Sequence, residues 1–388
     1  MKFAVIADVH VGNHQGVKGG TYDLTMNERC RKVIACLRAA RLTAEDQGCV
    51  RLYIAGDLFD NEKPTPQMIA AVADALGLAD SSRAEVYALL GNHDRVSALP
   101  GDHALGWLGF SELGKVVTVP EFVVTGDGPH YMVPFQIGDS HDYLAKTLGA
   151  LHTEELAAHP NWEFANRVLF VHMGIRDAIV AAANPWAAVA EDAIDVEKLF
   201  ALCHEYRIAK VFAGNWHTHN QWSQQWADGF ACTVTQVGAL VPTGWDNPGA
   251  TGYGGLSIYD YGTVSRIEIP GPRFLTVGSA AELAALPSDG ANNYVRYRCL
   301  PDDVNAVSQL CDAAVATGQI AVWSATVDVE SAKRAALAGA RTASDAHTLH
   351  TALESYVAAI EVPAGVDRAR VLQLCTGALG LSSEGVVP

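Results

Sequence analysis

Residues 214–219 read GNWHTH, and they follow directly on the short apolar run AKVFAG at 209–214. Two histidines one residue apart at the end of a strand-like run are either a metal-binding pair or an accident of composition. Partners elsewhere in the chain decide between the two. Four more short motifs sit in the same kind of place. DVH (Asp8, His10) follows KFAVIA, and GD (Gly56, Asp57) follows RLYIA. GNHD (Gly91 to Asp94) follows EVYALL, and VH (Val171, His172) closes RVLFVH. In an open α/β sheet the carboxyl ends of the strands form the crevice where ligands bind. Five loops therefore deliver Asp, His, Asp, Asn, His, His and His to one rim.

Between these runs lie amphipathic helical patterns. Cys30, Val33, Ile34 and Leu37 recur at i, i+3, i+4 and i+7 in a helix expected from about Met26 to Asp46, with Thr25 and Glu28 as a capping box. A second helix opens with Thr65 as cap and Pro66 in its first turn, and buries Met68, Ile69, Val72 and Leu76. A third is capped by Asp195. ACTVTQVGAL (231–240) and the hairpin GGLSIYDYGTVSRIEI (254–269) make the second half rich in β-structure. The pattern is α/β and layered. A stretch rich in Pro, Gly and small residues at 271–292 reads as a linker between a catalytic domain, 1–270, and a C-terminal region, 293–388. That region carries a β-α-β unit with a helix on Val304, Val307, Cys311 and Val315. Two terminal helices follow, one with Leu349, Leu353, Tyr356, Val357 and Ile360, the other with Val371, Leu374 and Cys375.

Composition narrows the class. The chain has 388 residues, 49% of them hydrophobic, enough for one large domain and a smaller one. No apolar stretch reaches the ~18 residues of a membrane span. The opening MKFAVIADVH reads as a first strand rather than a leader. Eight cysteines are scattered with no CxxC and are read as free buried thiols of a cytoplasmic protein. The net charge of −16 weighs against tight, non-specific binding of nucleic acid by the whole surface.

Taken singly each motif is weak. A D-x-H triplet arises by chance, a lone histidine at a strand end is more often structural, and GD is ordinary turn chemistry. All five, in order and each at a strand end, are specific. A mixture of imidazole, carboxylate and one amide suits manganese, iron or zinc, and the absence of cysteine disfavours a structural thiolate zinc site. Seven ligands exceed what one open ion needs. They suit two ions about 3.5–4 Å apart that share a carboxylate.

The order D-x-H, GD, GNHD, VH, H-x-H resembles the calcineurin-like metallophosphoesterase superfamily. Within it the chain is most similar to the SbcD-type DNA-repair nuclease branch. DVHVGNH resembles that branch's D-x-H-L-G opening, AGDLFDNEKPTP its second motif, and VHMGI its fourth. The resemblance covers residues 1 to about 245. It implies a layered β-sandwich flanked by helices, with a small C-terminal α/β cap. Residue by residue, it implies Asp8, His10 and His219 on a first metal, Asn92, His172 and His217 on a second, and Asp57 bridging them. His93 would protonate the leaving group or stabilise the phosphorane, oriented by Asp94. A hydroxide generated by the ions would be the nucleophile. Two divalent ions are expected, manganese first, with iron, zinc, magnesium and cobalt as alternatives. The implied function is a DNA nuclease with an SMC-like ATPase partner bound through the C-terminal helices, and a homodimer. A phosphodiesterase or phosphatase for small nucleotides or phosphorylated metabolites is the alternative, on the same metal core. A bacterial or phage-encoded protein is expected.

Softer features surround this set. His14 and Lys18, in the glycine-rich loop past His10, can approach a phosphate backbone or simply lie in solvent. Arg176 can contact phosphate or pair with an acid. Trp216, Trp222 and Trp245 can stack on bases, although packing is the commoner role for at least two of them. The superfamily shows G-H-x-H where this chain has Gly214, Asn215, Trp216, His217. Two extra residues lead to the histidine pair, and Trp216 is placed beside it.

Overall fold

The computed structural model describes residues 1–13, 26–78, 84–97, 99, 101–108, 114–162, 166–177, 190, 193–245, 254–286, 290–327, 353–354, 356–358 and 367–378, and the structural statements concern these. Alternation along the first strand, β1 (Lys2–Ile6), sets the layers. Phe3 and Val5 belong to one buried apolar cluster, whereas Ala4 and Ile6 belong to another. A strand buried on both faces reads as a continuous apolar run, as KFAVI does.

Two six-stranded sheets follow from such runs. In the first, β1 pairs in parallel with β2 (Arg51–Ile54), which leads to β3 (Glu85–Leu89) and β4 (Gly114–Val117). The other edge of β1 takes the expected hairpin, β13 (Gly254–Asp260) and β14 (Thr263–Ile269), in antiparallel pairing. The second sheet is built on β7 (Arg167–His172) and β10 (Ile208–Gly214), paired in parallel with Gly214 opposite His172. β12 (Ala231–Gln236) and β6 (Gly128–Val133) flank them in parallel, and β11 (Asn220–Gln225) and β5 (Glu121–Thr125) form antiparallel edges. A two-stranded pair, β8 (Gly174–Arg176) with β9 (Ala193–Asp195), follows His172.

The sheets face each other across an aromatic layer. Tyr53 of the first sheet stacks on Phe170 of the second with ring centroids 3.9 Å apart, and Phe3 meets Phe170 and Phe212 edge-on at 5.7 Å. Such pairs contribute roughly 0.5–1.5 kcal/mol beyond burial of their area. Helices cover the outer faces. α1 (Glu28–Asp46) and α2 (Pro66–Leu76) bury Cys30, Leu37, Val72 and Leu76 against Ile6, Leu52 and Ile54. α3 (Ser140–Ala158) and α4 (Val196–Glu205) bury Leu144, Leu148, Leu199 and Cys203 against Leu169, Val171 and Val211. The result is the expected β-sandwich flanked by helices.

Two capping expectations change. The N-cap of α1 is Asn27, whose side-chain oxygen accepts the Cys30 N–H at 2.8 Å; Thr25 lies outside the described residues. Asp195 occupies the N-cap position of α4 but its carboxylate does not cap. It is drawn instead to Arg176 at 2.7 Å and Lys198 at 3.4 Å, cations that outcompete a neutral backbone N–H.

The fully buried Arg167 at the start of β7 pairs with the fully buried Glu155 of α3, Nη2 to Oε1 at 2.6 Å and Nε to Oε2 at 2.9 Å. Two more guanidinium protons go to the Trp162 and Tyr206 carbonyls, so both charges are matched.

Beyond the sandwich, the segment 271–292 carries β15 (Arg273–Val277) and the short helix α5 (Ala280–Ala284). β15 pairs in parallel with β16 (Asn293–Cys299) in a three-stranded sheet with β17 (Val322–Val327), and α6 (Val304–Ala316) lies between β16 and β17 in sequence. By compactness the chain divides into residues 1–297 with 311–324 as one unit, and 298–310 with 325–388 as the other. The second unit includes α7 (Arg368–Ala378), the helix expected on Val371, Leu374 and Cys375. Of the helix expected around Leu349–Ile360, residues 353–354 and 356–358 are described and helical. All eight cysteines are free, and all but Cys375 are buried. Among the described residues no helix is long and apolar enough to cross a membrane.

Candidate metal centre

Strand ends from both sheets converge on one rim. β1 and β2 run on into Asp8, His10 and Asp57 from the first sheet; β7 and β10 lead to His172 and His217 from the second. The turns are tight. Asp8, His10 and Asp57 all have left-handed backbones, with φ of 50°, 49° and 53°, and Asn215 stands at φ 94°. Each such non-glycine residue costs about 1–3 kcal/mol, and the turn is held by surrounding bonds. The Val9 and His10 N–H groups both donate to the Asp57 carbonyl, at 2.9 and 3.1 Å. Gly56, at φ 90°, allows the close approach of His172, because a Cβ there would lie 2.0 Å from its Nδ1.

The ligand atoms fall into overlapping groups. Asp8, His10 and His217 form one, Asp8, Asp57 and His172 a second, and His10, Asp60 and His93 a third; within each, the ligand atoms lie within 4.8 Å of one another. Asp8 is common to the first two sets, and Asp57, a member of the second, also faces His10 of the first. Asp57 Oδ2 is 3.3 Å from His172 Nε2 and 3.8 Å from His10 Nε2, while Oδ1 accepts the His93 N–H at 2.9 Å. Asn92 Oδ1 is 2.9 Å from His172 Nε2. His217 Nε2 is 3.0 Å from His10 Nε2, so His217 keeps company with Asp8 and His10 more closely than the two expected ligand sets imply. The Nδ1 of His219, the second histidine of the pair, lies 3.2 Å from the Val237 carbonyl.

The imidazole orientations share one logic. His172 Nδ1 lies 2.7 Å from the Ala55 carbonyl and His93 Nδ1 lies 2.8 Å from the Asp60 carbonyl. A carbonyl can only accept, so each Nδ1 carries the proton, as does that of His219. In the neutral ring each Nε2 is then left with its lone pair. His217 Nδ1 meets the Thr243 hydroxyl at 3.0 Å, which can accept in the same way.

Charge is balanced within the cluster. Burial works to raise the Asp57 pKa, but the His172, His10 and His93 imidazoles outweigh it and hold it below the carboxylate range. Burial, with Asp57 adding to it, pushes Asp8 up. His172 is raised because Asp57 and Asp8 overcome its burial, whereas burial, and then His10, pushes His217 down to about 3. Asp8 Oδ1 accepts the Asn215 N–H at 2.9 Å, yet its buried Oδ2 has no hydrogen-bond partner among the described residues. A buried carboxylate oxygen without a donor, beside two imidazole Nε2 atoms that face each other, is an arrangement a cation resolves. The residues fit divalent metal.

Other expected site residues separate. Among the described residues no hydrogen bond joins Asp94 to the His93 ring. Its carboxylate is fully buried and accepts N–H groups from Phe59 at 2.9 Å, Gly91 at 3.1 Å and Leu58 at 3.4 Å. It ties the GD and GNHD loops together, and the Asp60 carbonyl takes the orienting role assigned to it. Arg176 is committed to Asp195, the acid-pairing alternative. Trp222 packs in the second sheet's outer core and bonds Asp177 at 2.8 Å; Trp245 sits edge-on to Phe274 and donates to the Leu275 carbonyl. His14 and Lys18 lie outside the described residues. Sequence reasoning passed over Asp60, although GDLFD contained it, and Thr243, for which no local signal exists.

The family model for calcineurin-like phosphoesterases matches residues 1–221, which carry every motif described above. The chain belongs to the calcineurin-like phosphoesterase family. It is thereby a phosphoesterase, a hydrolase of a family that uses dinuclear metal sites. A curated relative, the DNA double-strand break repair protein Mre11 of Archaeoglobus fulgidus, is 31% identical over 97 residues, 25% of this chain and 20% of that one. The match thus spans about a fifth of the relative's length. Among solved structures, a dimetal phosphatase from Danio rerio is similar at 11% identity and a TM-score of 0.40, covering 70% of this chain and 99% of that one. The calcineurin-like phosphoesterase YfkN of Bacillus subtilis is similar at 13% identity and a TM-score of 0.37, covering 69% and 88%.

Proposed function

We propose that this phosphoesterase is a two-metal phosphodiester hydrolase acting on DNA. The observation that carries the two-metal reading is the position of Asp57, whose Oδ2 faces His10 on one side and His172 on the other. On the superfamily resemblance Asp8, His10 and His219 would hold one ion, Asn92, His172 and His217 the other, and Asp57 both, although His217 stands with the first set here, its Nε2 3.0 Å from that of His10. Ions in such a site polarise a phosphoryl oxygen and lower the pKa of water. The chain's own residues do the rest. His93, its Nδ1–H anchored on the Asp60 carbonyl, presents Nε2 to the leaving oxygen, and in its imidazolium form it gives that oxygen the Nε2 proton while Nδ1 keeps its own. Asp94 fixes the two loops that carry Asp57 and Asn92, so the ligand spacing is set before substrate arrives. Donors of imidazole, carboxylate and amide with no thiolate suit manganese, iron or zinc, and manganese is the first choice on the SbcD-like resemblance.

DNA as substrate rests on the SbcD-like motifs and on the Mre11 likeness. An SMC-like ATPase partner, a homodimer, a cytoplasmic setting and a C-terminal cap over residues 293–388 follow from the same likeness and belong to the same proposal. The net charge of −16 favours a second reading, a phosphodiesterase for small nucleotides. A manganese-supplemented assay on linear double-stranded DNA, single-stranded DNA and bis(p-nitrophenyl) phosphate separates them, with His93→Ala as control. Cleavage of DNA that is lost in His93→Ala supports the nuclease; turnover of the small diester alone rejects it. Asp57→Ala should abolish all turnover, and retained activity would reject the two-metal mechanism.

A further inference from the structure

Among the described residues, Trp216 is the one of the three singled-out tryptophans that joins no apolar cluster. It is only partly buried, belongs to none of the apolar clusters described above, and among the described residues its ring makes no aromatic stack and its indole N–H no hydrogen bond. Its placement is nevertheless determined. Asn215, held at φ 94° by the bond from its N–H to Asp8 Oδ1, turns the chain just before it. The indole then lies over Gly174, where a Cβ would fall 2.2 Å from Cε2, 2.4 Å from Nε1 and 2.7 Å from Cδ2. Three ring atoms at similar short distances mean that the backbone of Gly174 meets a face of the indole rather than its edge. Gly174 is two residues past His172, and Trp216 immediately precedes His217. The ring is therefore pinned between two strand ends that carry candidate metal ligands.

A rigid aromatic plane backed by peptide, left partly open beside a phosphate-binding centre, is a stacking surface. Base–aromatic stacking needs only a π-face and tolerates any base. We propose that Trp216 is a specificity-determining residue whose outer face stacks on a nucleobase of the phosphoester held at the metal centre. This rests on the phosphoester-hydrolase reading of the site and adds the residue that selects esters of nucleotides over esters that lack a planar ring. A purely structural tryptophan would pack against an apolar cluster, as Trp222 does. Gly174 without a side chain is what lets the indole lie flat against the strand.

The test is isothermal titration of the manganese-loaded protein with thymidine 5′-monophosphate and with methyl phosphate, in wild type, Trp216→Ala and Trp216→Phe. Hydrolysis of thymidine 5′-(p-nitrophenyl phosphate) is followed in parallel. Trp216→Ala should weaken the nucleotide about thirty-fold relative to methyl phosphate, the middle of the range for one stacked base. Trp216→Phe should recover most of that ratio. Gly174→Ala, which pushes the indole off its backing, should shift the ratio in the same direction. An unchanged ratio in Trp216→Ala overturns the proposal, as does a wild-type protein that prefers methyl phosphate. Nucleotide binding that depends on Trp216 without any ester hydrolysis would uphold the stacking surface and reject the hydrolase reading instead.

Discussion

The Arg167–Glu155 pair offers the sharpest stability test. Both side chains are fully buried, and the two guanidinium–carboxylate contacts, at 2.6 and 2.9 Å, satisfy both carboxylate oxygens. Glu155→Leu removes the anion and leaves a cation in the interior beside the Trp162 and Tyr206 carbonyls and the Tyr131 hydroxyl, all of them uncharged. Breaking a buried pair by removing one partner costs about 3–5 kcal/mol, most of it the stranded charge rather than the lost attraction. Arg167→Met strands the carboxylate in turn, with only the Tyr131 hydroxyl left to it, and should cost about as much. The double variant strands neither, so its loss should fall short of the sum of the singles by at least about 2 kcal/mol. Urea unfolding of the four proteins, read by circular dichroism, supplies the cycle. Additive losses, or a cost below about 1 kcal/mol for Glu155→Leu, would refute the view that desolvated charge dominates here.

Three further outcomes follow from the geometry. Gly56→Ala forces a Cβ to within 2.0 Å of His172 Nδ1 at a left-handed φ, and should lower stability by about 2–4 kcal/mol, read from the urea midpoint; a neutral result would show that the approach is slack. Thr243→Val removes the hydroxyl 3.0 Å from His217 Nδ1 and should weaken manganese binding about ten-fold by calorimetry, whereas unchanged affinity would mean that the ring is oriented by packing alone. His130, fully buried with Nδ1 2.8 Å from the Tyr53 hydroxyl, has its pKa pushed down to about 3, by burial first and then by the Arg51 and N-terminal charges. The unfolded ring takes its proton near 6.5, so this neutral histidine contributes stability above that pH that is lost as pH falls towards 3. At about pH 4.5 the loss should be roughly 2–3 kcal/mol. Urea midpoints that fall as steeply in His130→Phe as in wild type would refute the assignment.

The motifs were legible because each closes an apolar run whose period identifies a strand, and strand ends in such sheets face one way. The partition into two sheets was not. β1 pairs with β13, some 250 residues away, and no local pattern encodes that partner. β4 and β5 are short and half exposed, the buried β6 opens on Gly-Pro and carries a histidine, and β11, NQWSQQ, is an exposed polar edge without apolar alternation, so none of these carries a clear strand signal. Within the site, residue types indicated the ligands, but the groups that orient them did not show. The Ala55, Asp60 and Val237 carbonyls act through the main chain, which every residue has. Asp94 looked like a partner for its sequence neighbour His93. Buried three residues past Gly91, it answers instead to the three N–H groups aimed at it.

The rim draws its donors from both sheets, and that changes what a core residue means in this molecule. The distance from Asp57 to His172 is a distance between the two sheets, and the rings that set it are Phe3, Tyr53, Phe170 and Phe212, remote from any solvent. Those rings are a spacer as much as a core. Trimming one lets the layers settle closer or slide, and a shift of a few tenths of an ångström spreads over every donor atom at the rim. Variants at Phe170 would therefore register in an assay as damaged catalysts while still folded. A screen for loss of turnover would trace out the aromatic layer as faithfully as the ligands themselves.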